Sequence, residues 1–203
     1  MKALVLCKQL CPEFLPTIGD QLGHGGADGE VFSLLETPGQ VIKFSIIYDY
    51  PFAPYLKEYG RISDILTYLV SERPDVCARV YTHRKLAEGS RQNITYGEQK
   101  YLLYSYVMEK CFPLTEEEKK VFSSIITPQK SFKKIRQAEK ILFGLSKGFD
   151  FDLARVTSFV RGASLLPFTH SDVSVLNIMK NDRGDFKLID FDRAKMENEL
   201  WLK

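Results

Sequence analysis

The chain has 203 residues, 44% of them hydrophobic, enough to bury a core in one domain or in two small lobes. Its 28 basic and 26 acidic side chains leave a formal charge of +2, which makes no electrostatic case for nucleic acid or an anionic membrane as main partner. Cys7, Cys11, Cys77 and Cys111 form no C-x-x-C pair, so neither a zinc site nor a disulfide framework is expected. The apolar run Ala3–Leu6 is too short for a secretory core, and nothing later approaches the roughly 20 apolar residues of a membrane span. These features predict a cytoplasmic protein with reduced thiols.

In chain order, Thr17 to Ile47 reads as two strands around a glycine cluster, a turn at Thr37-Pro38-Gly39, and the β-rich run Gln40–Phe44. From Pro54 to Glu72, Leu56, Tyr59, Ile62, Ile65, Leu66 and Leu69 recur at three- and four-residue intervals, the period of an amphipathic helix ending before Pro74. Residues 76 to 88 and 100 to 109 read as two strands, with a polar turn at Gly89–Asn93. Thr115 followed by three glutamates is an N-capped, acid-first helix start, and the rest to about Ser164 has a helical period with breaks at Pro128 and near Gly148. Within it Lys130, Lys133, Lys134, Arg136 and Lys140 read as a solvated helix face. The tail from Ala194 to Lys203 is expected to be a closing amphipathic helix. Strands with one helix, then mainly helices, predict an α+β chain of two lobes joined near residues 109–113.

Between Thr169 and Asp192 the sequence carries polar groups at fixed offsets in apolar company. Asp172 lies two residues after His170, Asn177 five after Asp172, and Asp190 ends the strand-like run Phe186–Ile189 thirteen after Asn177. The turn Asn181–Asp185 between them predicts a hairpin that brings Asn177 and Asp190 side by side. Such a set suits phosphoryl transfer, which needs a carboxylate to orient an attacking hydroxyl and accept its proton, and hard oxygen ligands to hold magnesium against the phosphates. Asp172 is the candidate base, and Asn177 and Asp190 are the candidate metal ligands.

This segment resembles the protein-kinase-like superfamily, with its H-x-D-x-x-x-x-N loop followed by a D-F-G strand end. His170, Asp172, Asn177, Asp190 and Phe191 match it by type and spacing; Asp192 stands where that pattern has glycine, and Ser174 where common protein kinases carry lysine. A serine at that place resembles the RIO family and the small kinase of the KEOPS complex. The resemblance implies a two-lobed fold with a β-rich N-lobe over about residues 1–110, a hinge at about 109–113, and a reduced helical C-lobe over about 114–203. It also implies ATP and Mg2+ as cofactors and a structural role for His170.

Upstream, Gly23, Gly25, Gly26, Gly29 and Val31 resemble the family's glycine-rich phosphate loop, with an imperfect fit to its spacing, and Lys43 in Val41-Ile42-Lys43-Phe44 resembles its third-strand lysine. The resemblance implies that Lys43 holds the α- and β-phosphates and pairs with a helix carboxylate, Glu58 first and Asp64 second. It implies too that Met108, Glu109 and Cys111 lie on the strand and hinge that meet adenine. The expected activity is γ-phosphoryl transfer to a Ser or Thr hydroxyl of protein, the chain itself included. The alternatives are a small-molecule phosphotransferase similar to aminoglycoside kinases, expected to be the weaker reading because those usually carry a large helical lobe after the aspartate strand end, and an ATP-binding or pseudokinase scaffold. Only thirteen residues follow Asp190, so the usual peptide-docking segment is expected to be missing, and substrate recognition or activation is expected to need a partner protein.

Overall fold

Runs of β-branched and aromatic residues in the first half of the chain pair into one antiparallel sheet. The computed structural model describes residues 12, 17–23, 29–48, 55–95, 97–126, 153–170 and 174–196, a mixed α+β structure. The described residues form two compact units: those up to Ser71 together with Val80–Lys110, and Glu72–Arg79 together with those from Cys111 onward.

In the first unit β1 (Ile18–Leu22), β2 (Gly29–Leu34), β3 (Gln40–Tyr48), β4 (Val80–Asn93) and β5 (Gly97–Glu109) lie in the order β1-β2-β3-β5-β4. Alternation along β3 decides what each face buries. Ile42, Phe44 and Ile46 join Phe32 and Leu103 in an apolar core on one face, while Val41, Lys43 and Ser45 leave the strand on the other. Helix α1 (Tyr55–Glu72) buries Ile62, Ile65, Leu66 and Leu69 along one stripe. It stops where Arg73, with φ of 51°, precedes Pro74, a position where proline disfavours helical backbone. Thr67 on α1 is hydrogen-bonded to His83 on β4 at 3.1 Å.

The segment Gly89–Asn93, expected as a turn, is strand: it completes β4, and the reversal comes at Ile94 and Thr95. Cross-strand contacts override the polar composition here. Arg91 donates twice to Gln99, at 3.2 and 2.9 Å, and lies over the Tyr48 ring at 4.1 Å from its centroid. Tyr101 fills the space a side chain at position 89 would need.

The second unit contains β6 (Phe112–Pro113), α2 (Glu116–Ile126), α3 (Leu153–Ser164), β7 (Phe168–His170), β8 (Ile178–Lys180), β9 (Phe186–Leu188) and β10 (Ala194–Met196). The strands form a three-stranded sheet, β6-β8-β9, and a two-stranded one, β7-β10. Its core is a triangle of edge-to-face rings, with Phe122, Phe159 and Phe186 5.0 to 6.1 Å apart. Val76 and Ala78 bond to both sides of Leu188, at 2.7 and 2.8 Å, and the Lys187 ammonium donates to the Asp75 carbonyl. Burial pushes the neighbouring Cys77 thiol far up, against the opposing pull of Lys187, so this cysteine is chemically inert. Ala194–Met196, expected to open a helix, is strand paired with Phe168–His170, and the remainder of that expected helix lies outside the described residues. So do the breaks expected at Pro128 and Gly148 and the basic stretch of Lys130 to Lys140. Among the described residues no helix is long and apolar enough to cross a membrane.

Helix α2 begins with a reciprocal cap. Glu118 N–H donates to Thr115 Oγ1 at 3.3 Å, and Thr115 N–H donates to Glu118 Oε2 at 2.7 Å. Lys180 of β8 reaches the same carboxylate at 2.9 Å. Burial alone would raise the Glu118 carboxyl, but the bonds from Lys180 and Thr115 outweigh it and leave it below its usual range. A depressed carboxyl stabilises the fold above the unfolded carboxylate range, and that contribution is lost on acidification. Thr115→Ala should therefore cost about 1 kcal/mol in denaturant melts. The advantage of wild type over Glu118→Gln should be full at neutral pH and shrink as pH falls through the carboxylate range.

Partial burial lowers the His83 imidazole below its usual value. With the folded state the poorer proton acceptor, stability should fall as pH drops below the unfolded histidine value of about 6.5. Denaturation midpoints taken from pH 7 to pH 5 should decline more for wild type than for His83→Gln.

Candidate functional site

In the second unit the hairpin of β8 and β9 organises one group of candidate residues. Its turn is set by Asn181, whose Oδ1 accepts from the N–H groups of Arg183 and Asp185 at 3.1 and 2.9 Å. Gly184 takes the left-handed conformation, φ 80°, that lets the chain return. The resulting register pairs Ile178 with Leu188. One step further, Ile189 N–H donates to the Asn177 carbonyl at 3.0 Å. Asn177 is buried at the end of a 3-10 turn, Val175–Asn177, closed by its own N–H donating to the Ser174 carbonyl at 3.0 Å. The hairpin expected from the sequence is thus present, and it sets Asn177 beside the residue preceding Asp190.

The carbonyl of Ile189 is held as well. His170 Nε2 donates to the Ile189 carbonyl at 2.8 Å, an assignment that follows because a carbonyl can only accept. In the neutral ring Nδ1 is then an acceptor; it is buried with no hydrogen-bond partner among the described residues. The imidazole meets Phe191 edge-on at 6.0 Å, and Phe191, fully buried, also meets Phe168 at 6.2 Å. Between the held peptide and the buried ring stands Asp190, half-buried, with φ 61° and ψ 73°. That left-handed backbone is uncommon for any residue with a side chain, though aspartate tolerates it better than most. Asp192 is half-buried on the next 3-10 turn, Phe191–Arg193. Asp172, the candidate base, lies outside the described residues, as do its neighbours Ser171 and Val173.

In the first unit another group of candidate residues is built on the sheet. Val31 of β2 and Tyr106 of β5 are the direct partners of Lys43, a residue only 5% exposed. Gly29 opens β2 beside it. A Cβ there would stand 2.9 Å from Lys43 Cε, 2.8 Å from Ser45 Oγ and 2.9 Å from the Phe44 carbonyl oxygen, so the absence of a side chain lets the lysine stem lie against this strand. Gly23 is exposed at the end of β1 with φ of 77°. Gly25 and Gly26 lie outside the described residues, and with them most of the expected phosphate loop.

Met108 is buried on β5 opposite Val41, and Glu109 pairs with Gln40. Lys110 N–H donates to the Gly39 carbonyl at 2.9 Å. Cys111, half-buried, begins the second unit's portion of the chain. Glu58 is on α1 four residues before Ile62, with its side chain outside the described part of the structure; Asp64 is exposed. The sequence pattern alone does not single out Tyr106 or Thr67. The available signal was alternation along Tyr104, Tyr106 and Met108, which assigns three large side chains to the face that carries Lys43.

No family model matches this chain, and no curated protein matches it.

The tight contacts at Gly29 make one substitution decisive. Gly29→Ala drives a methyl group against the Phe44 carbonyl, which is fixed in the β-ladder, and against the lysine stem. Overpacking of this kind costs about 1–3 kcal/mol. The denaturant midpoint should fall accordingly, and the Lys43 side-chain NMR resonances should shift relative to wild type.

Proposed function

We propose that the chain is an ATP-dependent kinase of two-lobed, protein-kinase-like architecture that transfers the γ-phosphoryl group to a hydroxyl, with Ser or Thr of protein as the acceptor class. One observation carries the proposal. Ile189 donates its N–H to Asn177 and accepts at its carbonyl from His170, which gathers three separated segments of the motif around Asp190 and its left-handed backbone. Strained residues over-determined by their surroundings concentrate at sites of chemistry.

The donor set fits the implied ion, since a carboxylate and an amide are hard oxygen ligands of the type magnesium takes. In this reading Asn177 and Asp190 hold Mg2+, which supplies charge neutralisation for the phosphates when bound. Asp172 orients the acceptor hydroxyl and takes its proton, the Lys43 ammonium holds the α- and β-phosphates, and Met108 to Cys111 meet the adenine. The buried setting of Lys43 supports its part, because an ammonium removed from water attracts an anion more strongly than one in bulk solvent. A protein partner that presents the acceptor or activates the chain belongs to the same proposal.

The test is purified protein with labelled ATP and magnesium, assayed for label on itself, on added protein and on a metabolite panel. Wild type should transfer label, and Asp172→Ala and Asp190→Ala should each lower the rate by roughly 100-fold or more. Wild type that turns over no ATP and matches Asp172→Ala would sink the proposal, and label confined to metabolites would move the acceptor to a small molecule.

A further inference from the structure

Lys43 and Tyr106 are direct partners across β3 and β5, so both side chains leave the sheet on the same face. The phenol ring is 1% exposed, and the Lys43 Nζ stands over it at 5.8 Å from the centroid. That is within the distance at which a cation is drawn to the negative face of an aromatic ring, and the attraction strengthens as water is removed. The ring itself is held in place. Tyr104, two residues earlier on the same face, stacks on it at 6.4 Å with 16° between the planes. His83 is its direct partner on β4, and that imidazole is bonded in turn to Thr67 of α1. On the other side of Lys43 the space beside Cε belongs to Gly29, which brings no side chain. The lysine stem therefore runs between a bare strand and an aromatic ring that stacks on Tyr104 of its own strand and faces His83 of β4.

We propose that Tyr106 is a positioning residue for Lys43: its ring face is the seat that holds the ammonium in one place on the sheet, ready for the anion that Lys43 binds. A leucine at this place would fill the strand equally well and offer the ammonium nothing. The seat itself rests only on the geometry of the sheet; the anion's being the phosphates of ATP rests on the reading given under the proposed function.

Two measurements on the full chain separate these. The first needs no nucleotide: ring current should move the Lys43 ε-methylene protons upfield in wild type and in Tyr106→Phe, and Tyr106→Leu should return them to ordinary values. The second is MgATP affinity across Tyr106→Phe and its mono-, di- and trifluorinated phenylalanine analogues, which keep ring shape while draining charge from the face. Affinity should be near wild type for phenylalanine, fall with each fluorine, and drop roughly three- to ten-fold in Tyr106→Leu, the range of a partly desolvated cation–π contact. A flat fluorine series with the upfield shift intact overturns the positioning role and leaves the kinase reading standing. Absence of the upfield shift in wild type overturns the seat itself. Wild type that keeps the shift but binds no MgATP overturns the role together with the nucleotide reading.

Discussion

The backbone of Ile189, held at both its N–H and its carbonyl, is the constraint on which the second unit's candidate chemistry depends. Its neighbours in space come from three stretches of sequence. The Asn177 carbonyl takes the Ile189 N–H, the His170 imidazole gives to the Ile189 carbonyl, and Phe191 buries its ring against His170 and Phe168. Magnitudes explain why Asp190 can sit at φ 61°. A left-handed residue with a side chain costs about 1–3 kcal/mol. Against this stand two hydrogen bonds worth about 0.5–1.5 kcal/mol each and a buried phenyl ring worth about 1.5–3 kcal/mol. The surroundings outweigh the strain, so the carboxylate is aimed by its backbone rather than by a choice of rotamer alone.

The first unit meets a different difficulty, an ammonium placed where a sheet normally buries apolar groups. Burying a charge without compensation is prohibitive, and β3 carries Lys43 between Val41 and Ser45 on a face that Tyr104, Tyr106 and Met108 share. The opposite face is an ordinary apolar core of Phe32, Ile42, Phe44, Ile46 and Leu103. The Tyr106 ring face offers the ammonium some compensation at 5.8 Å, and the stem has room because the adjoining strand begins with a glycine rather than a side chain.

Much of the backbone plan is legible in the sequence where a local signal is strong. The apolar period predicts α1 within a residue at its start and at its end, Thr115 followed by glutamates marks the cap of α2, and the turn Asn181–Asp185 forms as expected because asparagine and glycine meet its special conformations locally. The errors fall where distant partners decide. Gly89–Asn93 is too polar to read as strand, yet Gln99, Tyr48 and Tyr101 stabilise it across the sheet. Ala194–Met196 carries a helical pattern, yet pairing with Phe168–His170 holds it extended. Within the candidate site, the proximity of Asn177 to Asp190's neighbour could be read from spacing. The left-handed backbone of Asp190, the double clamp on Ile189 and the ring beneath Lys43 could not, since each arises from contacts between segments far apart in sequence.

The two units also reach rigidity by different routes, and this bears on how each tolerates change. In the first, β3, β4 and β5 are nine to fourteen residues long and paired over most of that length, so backbone ladders carry the order and any single side chain is one contributor among many. In the second, β7, β8, β9 and β10 are three residues each. Ladders so short cannot hold a hairpin by themselves, and side chains make up the difference: Asn181 in the turn, Lys180 bound to the capped Glu118, and the ring triangle of Phe122, Phe159 and Phe186. A position such as Asn177 is therefore fixed by a handful of specific groups, each of which has no ladder behind it to share the load. The clamp on Ile189 closes the short hairpin at the point where the proposed ligand pair begins, so the handful of groups that fix Asn177 also fix the backbone that leads into Asp190.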